Sequence, residues 1–494
     1  MLAAVALLAA GCTFDRHDRA EPGSASAGTV RWRNCADEAR AVFRQAPRSV
    51  TYECATIAVP RNWAQPAGET FDIALLRARA AGQRGRIGSL VVNPGGPGAS
   101  GIQLAVYLSA GLPAEITRRF DIVGFDPRGV GRSSPVKCLS DADLDRMFGS
   151  EPDPVTDAQF EEAVAIARQA GEACAAKYGE TLPLFSTEQA ARDLDAVRAA
   201  VGDEKLTYLG YSYGTLLGAT YAQLFPGAVR ALVLDGAVDP RQDAIAASEG
   251  QARGFERAFD AFATWCRTSA GLCPIGPDAR ATVAGVLDQA RRAPVPAPDG
   301  RAATAGWVFT AIVASLYDQQ RWSQLAGAID HLRDGDPTGI FRLADLYAER
   351  DDSGHYSNLF DANTVINCAD SDVKLTADQV RDLQAQWRER YPLFGGPLAT
   401  GLLTCGMWPG QRDPYPTGPA TGAPPILVVG TTGDPATPYE QTPRLAQMLG
   451  VGVVLTWEGE GHTAYPHTRC VTEAVNAYLV DLKTPAHGHS CPAR

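Results

Sequence analysis

The sequence predicts an α/β fold, a mostly parallel central sheet with a large helical cap inserted between its strands. Three observations predict it. Apolar strand-like runs alternate with helical segments from Ser89 to Leu234, and that alternation produces parallel strands joined by helices. Between roughly Asp239 and Trp408 helical periodicity stands alone, and strands return only at Pro425–Val429 and Val453–Thr456. Finally, Leu206-Thr-Tyr-Leu-Gly-Tyr-Ser-Tyr-Gly-Thr215 reads as an apolar strand running through Gly-x-Ser-x-Gly into a helix, continued by small residues up to Ala222.

A chain of 494 residues can hold two or three domains, or one core with a large insertion. Its 45% hydrophobic and 20% charged residues are ordinary for a globular protein, and no apolar run after the N-terminus is long enough for a membrane span. A formal net charge of −11 argues against a nucleic-acid partner. Residues 1–12 form a short apolar run ending in small residues before a cysteine. This resembles the lipobox of a bacterial lipoprotein, which makes Cys12 the expected lipid anchor and the only expected contact with a membrane. Residues 13–34, rich in Gly, Ser, Ala and Asp, read as a flexible tether. The first part of the core is expected over 35–239, with a small insertion near 138–185. The cap then occupies 240–408 and the rest of the core 409–494.

Beyond Cys12 ten cysteines remain: Cys35, Cys54, Cys138, Cys174, Cys266, Cys273, Cys368, Cys405, Cys470 and Cys491. An even number agrees with disulfides, and so with an exported, envelope-bound or secreted protein; no Cys-x-x-Cys spacing favours zinc or redox chemistry. The spacing leaves the connectivity open, although pairing neighbours in order closes the shortest loops.

Thr56–Pro60 and Phe71–Leu76 read as an antiparallel pair around a Pro/Gly turn. Ser89–Asn93 is an apolar strand that opens into Pro94-Gly-Gly-Pro-Gly-Ala-Ser-Gly101. Within it, Gly96-x-Gly98-x-x-Gly101 matches a dinucleotide fingerprint, with Asp126 after the next strand as the ribose ligand. That reading leaves the Ser212 turn unexplained and places a nicotinamide enzyme outside the cell. Asp126-Pro-Arg-Gly-Val-Gly-Arg-Ser133 is read as a structural turn. Ser186-Thr-Glu-Gln189 has the form of a capping box, followed by Ala190, Leu194, Val197 and Val201 at helical spacing. Val229–Leu234 is the next buried strand. In the cap, helices are expected over 249–265, 281–292, 307–317, 322–332 and 376–391.

The Gly210–Gly214 turn has the form of the nucleophile elbow of the α/β-hydrolase fold, in which Ser212 is held strained with its Oγ exposed and both flanking glycines avoid a clash. A serine nucleophile needs a base, and the base needs a carboxylate on its other nitrogen. His462 is the candidate base, in an irregular glycine loop after a strand, with His467 in reserve. Asp434, in Gly430-Thr-Thr-Gly-Asp-Pro-Ala-Thr-Pro438, is the candidate acid, and Asp235 its rival. The order Ser212, Asp434, His462 is that of the fold, and the Gly96 and Tyr213 N–H groups are the expected oxyanion donors. No His-Glu-x-x-His motif and no phosphate loop with lysine occurs, so neither metal nor cofactor is expected.

Asn93-Pro-Gly-Gly-Pro-Gly, Asp126-Pro-Arg-Gly-Val-Gly-Arg-Ser, Gly210-Tyr-Ser-Tyr-Gly, Asn367-Cys-Ala-Asp370, Gly433-Asp-Pro-Ala-Thr-Pro and Gly461-His together resemble the secreted tripeptidyl aminopeptidases of actinobacteria, α/β-hydrolase serine peptidases related to prolyl aminopeptidases. The resemblance runs from about residue 50 to 470. It implies a serine exopeptidase that releases short peptides, tripeptides above all, from the free N-terminus of peptides or proteins through an acyl-enzyme. Asn93 stands where prolyl aminopeptidases carry His, so N-terminal proline specificity is not implied. The same triad serves a carboxylesterase or lipase acting on envelope esters, and a non-catalytic binding protein is the alternative from another class. A cap that counts residues from a terminus needs a carboxylate for the substrate ammonium, and Glu249, Glu256, Asp260, Asp370 and Asp372 are the candidates.

Overall fold

The computed structural model describes residues 30–269 and 271–493; the expected signal segment with Cys12, and most of the expected tether, lie outside them. The strands are β1 (Arg33–Asn34), β2 (Val50–Pro60), β3 (Thr70–Ala80), β4 (Gly88–Asn93), β5 (Phe120–Phe125), β6 (Leu206–Tyr211), β7 (Val229–Asp235), β8 (Val295–Pro296), β9 (Ala302–Ala303), β10 (Ile426–Gly433), β11 (Gly452–Glu460) and β12 (His489–Cys491). Ten of them form one sheet in the order β1-β2-β3-β5-β4-β6-β7-β10-β11-β12, and β8 with β9 makes a separate small ribbon. From β5 through β12 all neighbours are parallel, while β1, β2 and β3 close one edge antiparallel.

The central strands are buried on both faces, which is why they read as unbroken apolar runs. Successive side chains still point to opposite sides. Val91, Val123, Tyr208, Leu232 and Val428 join the core beneath helices Thr187–Ala200, Tyr213–Leu224 and Gln441–Leu449. Their neighbours Leu90, Ile122, Leu209, Val233 and Leu427 join the opposite core beneath helices Gly101–Gly111 and Arg469–Asp481.

Several expectations are corrected. Arg33 and Asn34, assigned to the tether, are β1 and pair with Cys54 and Glu53. The strand before His462 is not the last, because β12 adds to β11 at Leu455–Trp457. Ser186 stands at the helix N-terminus but forms no capping box. Its Oγ donates to Asp413 at 2.7 Å, Gln189 accepts from the Trp63 N–H at 3.0 Å, and the orphan N–H of Thr187 is taken by Asp370 at 2.8 Å.

After β7 the five expected cap helices are present as Ala244–Thr268, Ala279–Arg292, Ala305–Leu316, Trp322–Arg333 and Ala377–Arg390. Thr338–Ala348, Leu359–Asp370 and Gly395–Gly406 join them. The insertion after β5, with helices Asp141–Gly149 and Asp157–Tyr178, packs against this layer: Thr304 donates to the Gly149 carbonyl at 2.8 Å, and Arg388 pairs with Asp153 at 2.7 Å. Disulfides join Cys35 to Cys54, Cys138 to Cys174, Cys266 to Cys273, Cys368 to Cys405 and Cys470 to Cys491, each cysteine with its neighbour in order.

The turn after β5 is fastened by a fully buried ion pair. Arg128 Nε donates to Asp193 at 2.6 Å, its Nη1 donates to the Arg61 and Leu184 carbonyls, and Trp63 Nε1 also donates to Asp193. Removing one partner strands a buried charge, so Asp193→Ala is expected to cost about 3–5 kcal/mol in urea unfolding. A loss below about 1 kcal/mol, the worth of an exposed pair, would refute the role of this latch.

Candidate active site

The chain crosses from β4 to β5 on one side and returns to β6 on the other, so a crevice opens where the carboxyl ends of β4 and β6 lie side by side. Asn93 and Gly210 pair there. The glycine-rich loop leaves from one strand and the elbow from the other.

At the elbow Ser212 adopts φ 56° and ψ −125°, a conformation that non-glycine residues rarely occupy. A Cβ on Gly210 would run into the Gly214 carbonyl, and one on Gly214 would stand 2.9 Å from the Asn93 carbonyl oxygen. The Ser212 N–H donates to the Asp235 carbonyl at 2.9 Å, which pins the elbow to β7. Across the crevice Gly95 lies so close that a Cβ there would stand 2.9 Å from both Ser212 Cβ and Tyr213 N. The Gly95 N–H is taken by Asn93 Oδ1 at 2.9 Å. Among the described residues no hydrogen bond takes the Gly96 or the Tyr213 N–H, the two expected oxyanion donors.

His462 lies between core and cap. Its Nδ1 is 2.9 Å from both oxygens of Asp434, and its Nε2 has no hydrogen-bond partner among the described residues. Gly236, next to Asp235, comes so close that a Cβ would stand 3.2 Å from His462 Cε1, which sets the ring against the end of β7. Asp434 is buried and further satisfied by the N–H groups of Ala436 and Thr437 and by the Thr437 hydroxyl, at 2.9, 2.8 and 2.9 Å. Burial works to lower the His462 pKa, but the charge and hydrogen bond of Asp434, with the charge of Asp235, leave it raised.

The rivals sit elsewhere. His467 is exposed and stacks on Trp457, ring centroids 5.4 Å apart. Asp235 accepts from the backbone of Ala464 and Tyr465 rather than from the imidazole. The dinucleotide reading fails at Asp126, which is buried and bonded to Ser100 Oγ, Ile102 N and Arg132 N at 2.6, 3.2 and 2.9 Å, with no oxygen turned to a ribose. Sequence reasoning missed Tyr317. Its carbonyl accepts the His462 N–H at 2.8 Å and its ring meets the imidazole edge-on, with centroids 5.1 Å apart. Only its position at the end of an expected helix marked it.

A serine on a strained strand-to-helix turn, with an imidazole and a buried carboxylate on the neighbouring strand ends, is the arrangement of a serine hydrolase of the α/β-hydrolase fold. The family model described as TAP-like protein matches residues 391–491. The chain is 39% identical to the serine protease Hip1 of Mycobacterium tuberculosis, covering 99% of this chain and 96% of that one. It is 37% identical to carboxylesterase B of the same species (89% and 86% covered) and 30% identical to a tripeptidyl aminopeptidase of Streptomyces lividans (97% and 90%). The chain belongs to the tripeptidyl aminopeptidase family, and it is an enzyme, a serine hydrolase of the aminopeptidase type.

Only a neutral imidazole accepts a proton, so with His462 as the candidate base turnover is expected to be lost as pH falls through its pKa. Since that pKa is raised, the acid limb of kcat/KM is expected above the ordinary imidazole value of 6.5. Asp434→Asn removes the nearest raising charge and is expected to move the limb to lower pH while depressing the plateau. A pH–rate profile with an unmoved limb would separate Asp434 from the base.

Proposed function

We propose that this chain is an exported serine exopeptidase that releases short peptides, with tripeptides as the preferred product, from the free N-terminus of peptides or proteins. Ser212 Oγ attacks the scissile carbonyl while its proton passes to His462 Nε2, and Asp434 holds the opposite nitrogen and stabilises the imidazolium. The oxyanion develops against the Gly96 and Tyr213 N–H groups. His462 then protonates the leaving amine, and water repeats the cycle on the acyl-enzyme.

The observation that carries the exopeptidase reading is a half-buried carboxylate without a cation, linked through Thr187 to Tyr213. Among the cap acids, Glu249 is engaged by Arg390, Glu256 and Asp260 share Arg280, and Asp372 is exposed. Asp370 differs. It accepts only from the N–H and Oγ of Thr187, at 2.8 and 2.6 Å, and Thr187 Oγ is 2.6 Å from the hydroxyl of Tyr213, the residue after Ser212. Burial, with the nearby Asp413, pushes its carboxyl up to about 7, and a substrate ammonium would supply the missing charge. Glu349, which the sequence did not single out, is the second such group: a left-handed residue whose carboxylate meets the Ser357 hydroxyl, its pKa raised by burial and by the charge of Asp126. An extended chain advances about 3.3 Å per residue, so an anchor about 10 Å from Ser212 selects tripeptides.

Five disulfides support export, with attachment through Cys12 as the proposed anchor. No helix among the described residues is long and apolar enough to cross a membrane. Identity with a carboxylesterase keeps ester hydrolysis as the second reading.

Ser212→Ala is expected to abolish fluorophosphonate labelling and to lower kcat by on the order of 10⁴ or more. N-acetylation of a tripeptide amide substrate is expected to lower kcat/KM by on the order of 10² or more, because it removes one member of a buried charge pair. Asp370→Asn or Glu349→Gln should raise KM for the free-amine substrate and leave that of the acetylated one unchanged. An acetylated peptide turned over as well as its parent, or a simple ester preferred to both, would replace the exopeptidase reading with the esterase.

A further inference from the structure

Asp235 ends β7, is wholly buried, and pairs in register with Tyr211, the last residue of β6. Its two oxygens lie 3.0 Å from the N–H of Ala464, and Oδ2 accepts from the N–H of Tyr465 at 2.7 Å. From the adjoining strand the Tyr211 hydroxyl donates to the Tyr465 carbonyl at 3.1 Å. Both strand ends therefore grip the backbone two and three residues beyond His462. The main-chain carbonyl of Asp235 meanwhile accepts the N–H of Ser212 at 2.9 Å. One residue holds the nucleophile by its backbone and the loop of the base by its side chain.

We propose that Asp235 is a positioning residue whose ionised carboxylate fixes His462 relative to Ser212 without touching the imidazole. The inference rests on Ser212 and His462 being nucleophile and base. A carboxylate buried without a cation is a costly choice for loop anchoring alone, and what it offers over an amide is acceptor capacity on both oxygens. The ionisable groups facing it are His462 and Tyr465 from the loop, Asp434 from the end of β10, and Tyr211 from β6. Burial pushes the Asp235 carboxyl up to about 7, against the pull of the Tyr465 and Ala464 N–H groups and of His462, while Asp434 adds to the rise. As pH falls below that value a proton turns one acceptor into a donor facing N–H groups. The grip loosens over the same range in which the imidazole becomes charged, and the two protonations add on the acid limb.

The test compares Asp235→Asn and Tyr211→Phe with wild type by steady-state kinetics across pH, on a tripeptide amide. Asp235→Asn keeps the shape but removes the charge and half the acceptor capacity. It is expected to lower kcat by on the order of 10 to 10²-fold with KM little changed, as for a small misplacement of reacting groups. Its acid limb should move to lower pH, because a titrating group and a charge that raises the His462 pKa are both gone. Tyr211→Phe loosens the same loop without changing charge, so its kcat falls less and its limb stays in place. Wild-type kcat and an unmoved limb in Asp235→Asn, even with lowered thermal stability, would overturn the inference and leave Asp235 structural. Should Asp235→Asn fail to fold, the rate of fluorophosphonate labelling of wild type against pH decides: an acid limb steeper than one proton supports the inference, and a one-proton limb refutes it. Retained labelling of Ser212→Ala would instead refute the nucleophile itself, so the two failures are distinguishable.

Discussion

The site depends on how closely three stretches of backbone approach one another at Ser212. A serine at φ 56° lies outside the wells that L-residues favour, and such strain persists only where the surroundings over-determine it. Here they do. Gly210 and Gly214 pack so tightly that neither tolerates a Cβ, Gly95 presses on Ser212 and Tyr213 from across the crevice, and the Ser212 N–H is fixed on β7. The apolar sheet beneath supplies the rigidity, since Tyr208, Leu209, Leu232 and Val233 have no exposed surface.

A second constraint is charge. Around the elbow the protein buries Asp126, Asp235 and Asp434 and holds each with backbone N–H groups rather than with a guanidinium or ammonium hydrogen bond. Where rigidity alone is required, as at Arg128 and Asp193, it uses an ion pair. The difference is functional in its consequence. The charges of Asp434 and Asp235 raise the pKa of His462, whereas Asp370 and Glu349, which meet no cation, are the groups that the proposed function assigns to a substrate ammonium.

How much of this is legible in the sequence follows from how local each signal is. The elbow, the glycine loop and the strands β4 to β7 are contiguous patterns, and each shows in a window of about ten residues. Asp434 and His462 are legible only because the fold prescribes their order. The capping box at Ser186 misleads for the same reason in reverse: the local pattern is right, but Asp413, Trp63 and Asp370, all distant in sequence, take the partners that a short helix would use on its own. Gly395–Gly406 begins with two glycines and a proline, which no propensity scale reads as a helix, yet Gly395 and Gly396 leave room for Trp387 and Asp153. Glu349 carries no sequence signal, and Tyr317 carries only its place at the end of an expected helix. Their importance is a matter of what lies across the gap.

That gap also limits what the cap can do. It is fastened to the core at the places where the chemistry sits: the Tyr317 carbonyl on the His462 N–H, a bridge between Asp318 and Gly461, Asn363 Nδ2 donating to the Pro97 carbonyl at 2.9 Å, and Leu359 packed on Gly98. A cap that swung away as a rigid lid would pull on His462, the candidate base, from one side and on the glycine loop from the other. Helix Leu359–Asp370 makes the coupling direct, since its first turns dock the glycine loop and its last residue is Asp370. Under the proposed function, an element that bears a carboxylate for the substrate terminus and also braces the candidate oxyanion loop would tie recognition to catalysis through a single helix. Selection of the substrate end and alignment of the reacting atoms then become one structural property rather than two.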